Sequence, residues 1–242
     1  MKLLEIANVG PTKFKALFLA GPPASGKSHL YNSGNFPPHA YLNTDNFRHS
    51  EARRKQVDLN DINNEKHIIS GVIDETTAFL FNNIIYGEPL IIETTADRKN
   101  NFEKRVSTLK TLGYDVSIVY THTTKELSFD AEQQRRSQEG RTVDPAAMKK
   151  MWEEMPTRLA EIAHLVGKDN FLYIPRDQMA FSDDQRTKLQ QFTRDFMIRP
   201  NENPKGASFK RNMAQTPQST TITLSNDNVY QLYMLLSGWF DK

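Results

Sequence analysis

The sequence predicts an α/β fold: a mainly parallel five-stranded sheet with helices on both faces, plus a C-terminal arm and helix. Three observations carry that expectation. Short β-favouring runs alternate with longer stretches of helical period, the first run ends in a glycine-rich turn, and a polar, proline-bearing segment precedes a last amphipathic stretch. Strands that alternate with helices need crossover connections, which make neighbouring strands parallel and gather functional groups at their carboxyl ends.

"KALFLA" (15–20) is an apolar run without helical period, halted at once by Gly21, Pro22 and Pro23, so it reads as a buried first strand. "AYLNTD" (40–45), "PLIIETT" (89–95), "YDVSIVYTHT" (114–123) and "NFLYIP" (170–175) read as the other four. Between them Ile68, Ile69, Val72, Ile73, Thr76, Phe79, Leu80 and Ile84 recur at three-and-four spacing, as do Phe102, Val106 and Leu109 before Gly113. These are expected to be amphipathic helices. One domain over residues 1–199 fits this pattern, with residues 200–226 as a linker or loosely packed arm. "NVYQLYMLLSGWF" (228–240) then sets Val229, Leu232, Tyr233, Leu236 and Phe240 on one helical face. That face either docks back on the core or meets a protein partner or a second copy of the chain.

Hydrophobic content of 38%, charged content of 25% and a net charge of +2 describe an ordinary water-soluble chain and do not demand a polyanionic partner. The absence of cysteine removes disulfides, thiolate-bound zinc and thiol nucleophiles, and fits a cytoplasmic location. Glu5 and Asn8 interrupt the opening apolar run, and no segment reaches about 18 uninterrupted apolar residues, so neither a secretory signal nor a membrane span is expected.

"GPPASGKS", Gly21 to Ser28, fits G-x-x-x-x-G-K-[ST] between an expected strand and an expected helix, which makes the fold of P-loop NTPase type. Such glycines let successive N–H groups face an anion, the lysine reaches the β/γ-phosphates and the hydroxyl ligates Mg²⁺. Gly21, Ala24, Ser25, Gly26, Lys27, Ser28 and His29 are therefore the candidate nucleotide contacts. No Asn-Lys-x-Asp guanine reader is present, so ATP is the expected nucleotide. The six histidines are dispersed without metal-ligand spacing, which leaves Mg²⁺ carried in by the nucleotide as the expected metal.

A phosphate cradle serves motors, switches and phosphotransferases alike. "YLNTDNFR" sets Asp45 at the end of the second strand with Arg48 three residues on, where a carboxylate can take a hydroxyl proton and a guanidinium can steady phosphate charge. The plainer reading is an aspartate capping the next helix. "LIIETTADR" ends the third strand with Glu93 and Thr95, near Arg98, suited to the metal's water or the acceptor; Thr95 or Asp97 can equally cap a helix. "EQQRRSQEGRTVDP" (132–145) clusters Arg135, Arg136 and Arg141 around Gly140 as a candidate lid over the transferred phosphate, against the plain alternative of a solvated helix surface.

In this order the motifs resemble those of the zeta-toxin family of small kinases, within the wider group that includes polynucleotide kinases. "GPPASGKS", "TDNFR", "ETT", "GYDVSIVY" and "GRTVDPAAMKKMWEEMPTRLAEI" carry the resemblance, over roughly Phe14 to Ile174. It implies ATP-dependent transfer of the γ-phosphate to an acceptor hydroxyl. Asp45 is then the base, with Lys27 and Ser28 on phosphates and Mg²⁺, Arg48, Glu93 and Thr95 near the acceptor, and Arg141 on the transferring group, aided by Arg135 or Arg136. Acceptors in that group are nucleotide-activated amino sugars or nucleic-acid ends. Two other functions fit the same residues: a P-loop ATPase or switch using Glu93 to position water, or a non-catalytic nucleotide-binding module that engages a partner through its last helix.

Overall fold

The computed structural model describes residues 12–34, 36–59, 61–96, 99–139, 145–178 and 180–206, together with residues 232, 234, 236 and 239. The sheet holds β1 (Lys15–Ala20), β2 (Ala40–Leu42), β3 (Leu90–Thr94), β4 (Asp115–Thr123) and β5 (Phe171–Arg176) in the order β2-β3-β1-β4-β5. Every neighbouring pair is parallel. Seven α-helices connect or follow the described strands: α1 (Lys27–Ser33), α2 (Thr44–Lys55), α3 (Glu65–Ile84), α4 (Lys99–Thr111), α5 (Lys125–Glu139), α6 (Pro145–Val166) and α7 (Asp183–Ile198). None of them is long and apolar enough to cross a membrane.

Strand period two sorts the core into two layers. Ala16, Phe18 and Ala20 of β1 face a cluster that includes Leu80 and Ile84 of α3, Phe102 and Val106 of α4 and Met155 and Ile162 of α6. Leu17 and Leu19 face the other, with Leu30 of α1 and Leu189 and Phe196 of α7. β1 is buried along its whole length, which explains why it reads as an unbroken apolar run rather than an alternating one.

Two differences from the sequence pattern have local causes. β2 stops at Leu42 because the Asn43 side chain accepts the Asp45 N–H at 2.9 Å and opens α2, so Asp45 stands in a first helical turn rather than on the strand. α7, without a counterpart in the sequence reading, is opened by a capping box between Ser182 and Gln185. Beyond α7 the chain is tied down: Asn201 donates to the carbonyls of Lys13 and Phe14, and the N–H groups of Glu202 and Asn203 bond Asp115. Leu232, Leu236 and Trp239 are buried within the first core layer, so the apolar face of the last stretch docks on its own domain at these positions. Val229, Tyr233 and Phe240 lie outside the described residues.

Candidate functional site

A wholly parallel sheet brings all five carboxyl ends to one edge, and the sequence motifs gather there. β1 delivers residues 21–28, β2 delivers Asn43 and Asp45, β3 delivers Glu93 and Thr95, and β5 delivers Arg176.

The loop after β1 winds through left-handed conformations at Ala24 (φ 55°) and at Gly26 (φ 92°), the N-cap of α1. Alternating handedness of this kind turns successive N–H groups inward. Gly26 has a second reason to be glycine: a Cβ there would strike the Arg176 guanidinium. That guanidinium donates to the Ala24 carbonyl at 3.3 Å and lies 5.4 Å from the Phe181 ring, so it braces the loop from below. Burial lowers its pKa, yet an arginine stays cationic at neutral pH, which leaves a fixed positive charge beneath the loop. Ser25 shares a 2.8 Å hydrogen bond with Thr121 of β4, and Ser128 of α5 donates to the Pro23 carbonyl at 2.7 Å. Lys27 is buried and folds back over the loop, donating to the carbonyls of Gly21 at 3.0 Å and Pro22 at 2.8 Å. His29 is exposed, with its ring parallel to Phe181 at 5.9 Å between centroids.

Glu93 links the halves of the site. Its carboxylate accepts the Ser28 hydroxyl at 2.9 Å on one side, and the Tyr41 hydroxyl at 2.5 Å and the Asn43 amide at 3.1 Å on the other. The sheet order explains this, because β3 lies between β1 and β2. Asp45 is partly exposed, 3.7 Å from Arg48, whose other nitrogen pairs with Glu65 of α3 at 2.7 Å. Thr95 lines a small cavity between the strand ends and α6, beside Pro22, Tyr120 and Arg158. Arg158 donates to the Ala96 carbonyl at 2.8 Å and fixes that turn.

The donor set at Ser28 and Glu93 is all oxygen, which suits a hard cation. Mg²⁺ takes few protein ligands and fills its shell with phosphate oxygens and water, so one hydroxyl and one nearby carboxylate fit it. Among the described residues no group of three or more His, Cys, Asp or Glu is arranged to hold a metal ion by itself.

The structure thus brings Lys27, Ser28 and Glu93 together, with Thr95 just beyond β3 and Asp45 and Arg48 in α2 at the same edge of the sheet. Arg98 and Arg141 lie outside the described residues, and of Arg135 and Arg136 only their positions in α5 are described. Sequence reasoning missed Tyr41, Asn43, Thr121 and Arg176. Strand alternation puts Tyr41 and Asn43 on one side of β2, but that a carboxylate of β3 waits there follows only from the strand order.

The family model for zeta toxins matches residues 4–187. No curated protein sequence matches the chain as a relative. Among solved structures, the chain is similar to a candidate kinase from Chloroflexus aurantiacus, with 15% identity and a TM-score of 0.53 over 76% of this chain and 99% of that one. It is also similar to a chain of the PezAT toxin–antitoxin system of Streptococcus pneumoniae, with 13% identity and a TM-score of 0.52 over 95% of this chain and 93% of that one. At such identities these two likenesses speak for the fold alone.

Proposed function

The chain belongs to the zeta toxin family, and from that premise we propose that it is an ATP-dependent kinase that transfers the γ-phosphate to an acceptor hydroxyl. The observation that supports this best is the Glu93 bridge, which joins Ser28 of the phosphate loop to Asn43, two residues before Asp45. A nucleotide-only site has no evident use for a second carboxylate one strand further out.

In this reading Lys27 leaves its loop carbonyls and carries its charge to the β/γ-phosphates, while the loop N–H groups and the start of α1 hold the remaining oxygens. Ser28 and Glu93 would hold Mg²⁺, which would supply positive charge to offset that of the phosphates. Asp45 takes the proton of the acceptor hydroxyl as that oxygen bonds to the γ-phosphorus. The bond from phosphorus to the bridging oxygen breaks, and ADP leaves with the electron pair. Arg48 and Thr95 orient the acceptor, and Arg141, with Arg135 or Arg136, closes over the transferring group. The acceptor is a small molecule such as a nucleotide sugar, or a nucleic-acid or nucleoside hydroxyl.

Incubation with γ-labelled ATP and a panel of nucleotide sugars, nucleosides, DNA and RNA tests this. Label should pass to one acceptor class. Release of inorganic phosphate at the same rate with and without every acceptor would instead make the protein an ATPase or switch.

A further inference from the structure

Glu93 owes its position to a side-chain scaffold that the transfer chemistry does not itself use. The Tyr41 ring lies flat on Tyr31, 3.6 Å between centroids and 6° between planes. Tyr31 shares a 3.0 Å hydrogen bond with His39 Nε2, and His39 Nδ1 lies 2.6 Å from the Pro37 carbonyl. A carbonyl only accepts, so Nδ1 carries the proton and Nε2 accepts the Tyr31 hydroxyl. Burial lowers the His39 pKa, in keeping with a neutral ring. With its ring clamped, the Tyr41 hydroxyl oxygen is held in place beside Glu93, to which it donates at 2.5 Å. A phenol carries its proton at neutral pH and a carboxylate only accepts, so Tyr41 is the donor of this bond.

Asn43 completes the arrangement with both ends of its amide. Nδ2 donates to Glu93 at 3.1 Å and reaches the Tyr41 hydroxyl at 3.3 Å, while Oδ1 caps α2 through the Asp45 N–H at 2.9 Å. One side chain therefore spans the carboxylate beside Ser28 and the first turn that carries Asp45.

We propose that Tyr41 and Asn43 are positioning residues: they aim the Glu93 carboxylate at the Ser28 hydroxyl and so make nucleotide binding Mg²⁺-dependent. This rests on the kinase reading for the identity of the ligand. Groups that orient a metal ligand without touching the metal commonly matter about 10–100-fold in metal affinity. The Tyr41 hydroxyl and the Asn43 amide act on Glu93 and on the first turn of α2, so metal-free nucleotide binding should not depend on those two groups.

Calorimetry on the full chain tests the proposal, using adenylyl imidodiphosphate with Mg²⁺ and with EDTA. Tyr41→Phe keeps the stacked ring and removes only the donor. Asn43→Ser keeps a capping oxygen for α2 but is too short to bridge Glu93. Both should bind the metal-free analogue as the wild type does and lose about tenfold of the gain that Mg²⁺ confers. A variant whose affinity falls equally with and without Mg²⁺ has only a structural defect there, which overturns the proposal, as does a wild-type Mg²⁺ gain in both variants. If the wild-type chain binds the analogue without regard to Mg²⁺, the proposal falls, while the kinase reading still stands or falls on label transfer.

Discussion

Glu93 lies near the end of β3 and Asp45 in the first turn of α2, and the surroundings of the two carboxylates differ in kind. Glu93 is enclosed by hydroxyl and amide donors from three residues, an arrangement suited to holding still. Asp45 keeps 28% of its side chain exposed beside Arg48, so an incoming hydroxyl can meet it. Asp45→Asn preserves size and leaves the backbone N–H on Asn43 in place, so the helix start should survive. Analogue affinity should then stay within about twofold while label transfer falls about 100-fold or more, the usual loss for a general base. Calorimetry and the labelling assay read the two quantities separately, and an unchanged transfer rate would move the base to another residue. Residues fixed by a contiguous motif, such as Gly26, Lys27 and Ser28, were legible in the sequence because backbone geometry over eight positions dictates them. Arg176 was not: it braces the loop from 152 residues away, and nothing near it in the chain announces that contact.

At the scale of elements, the strands were legible nearly to the residue because each is an apolar run closed by a turn signal. β2 is the exception, since the cap that ends it is a side-chain choice by Asn43 rather than a change in hydropathy. α2 went largely unread for a related reason: it has no strong apolar stripe, and it meets α3 through the Phe47 and Phe79 rings and one polar contact. The Glu51 carboxylate is buried against Gly71 of α3, where any Cβ would collide with it. Arg54 holds it at 2.6 Å and Lys55 at 3.1 Å. The Arg54 hydrogen bond foremost, with help from Lys55 and against the opposing effect of burial, pulls its pKa from 4.5 down to about 2. A carboxylate depressed on folding adds stability that is present above its unfolded pKa and lost as pH falls through its folded one. Glu51→Gln should therefore melt below the wild type near neutral pH, with a gap that narrows from about pH 5 and closes near pH 2. Thermal melts across that range are the check; a gap independent of pH would assign the defect to packing on Gly71 instead.

At the scale of the whole molecule, the candidate site and the described closure of the chain lie at opposite edges of the sheet. Phosphate loop, Glu93 and Asp45 lie at the carboxyl ends, whereas Lys15 and Asp115 begin β1 and β4 side by side at the amino ends. Their 2.6 Å pair is almost wholly buried, and burial lowers the Lys15 pKa despite Asp115. Asp115 also accepts the N–H groups of Glu202 and Asn203, and Lys15 reaches the Pro200 carbonyl at 3.3 Å. One buried pair thus fastens the chain leaving α7, upstream of the stretch whose Leu232, Leu236 and Trp239 fill the first core layer. Asp115→Asn would leave a buried ammonium without its counter-charge, a change that costs about 3–5 kcal/mol. For a chain of this size the lower figure corresponds to a melting temperature about 6–12 °C lower. Because the lesion sits at the far edge, the folded variant should bind Mg²⁺ and nucleotide analogue within about twofold of the wild type at temperatures well below its melt. Melting followed by calorimetry, with analogue binding on the same samples, separates the two edges. A tenfold loss of affinity in a fully folded Asp115→Asn protein would show instead that closure at the amino ends is transmitted through β1 to the phosphate loop.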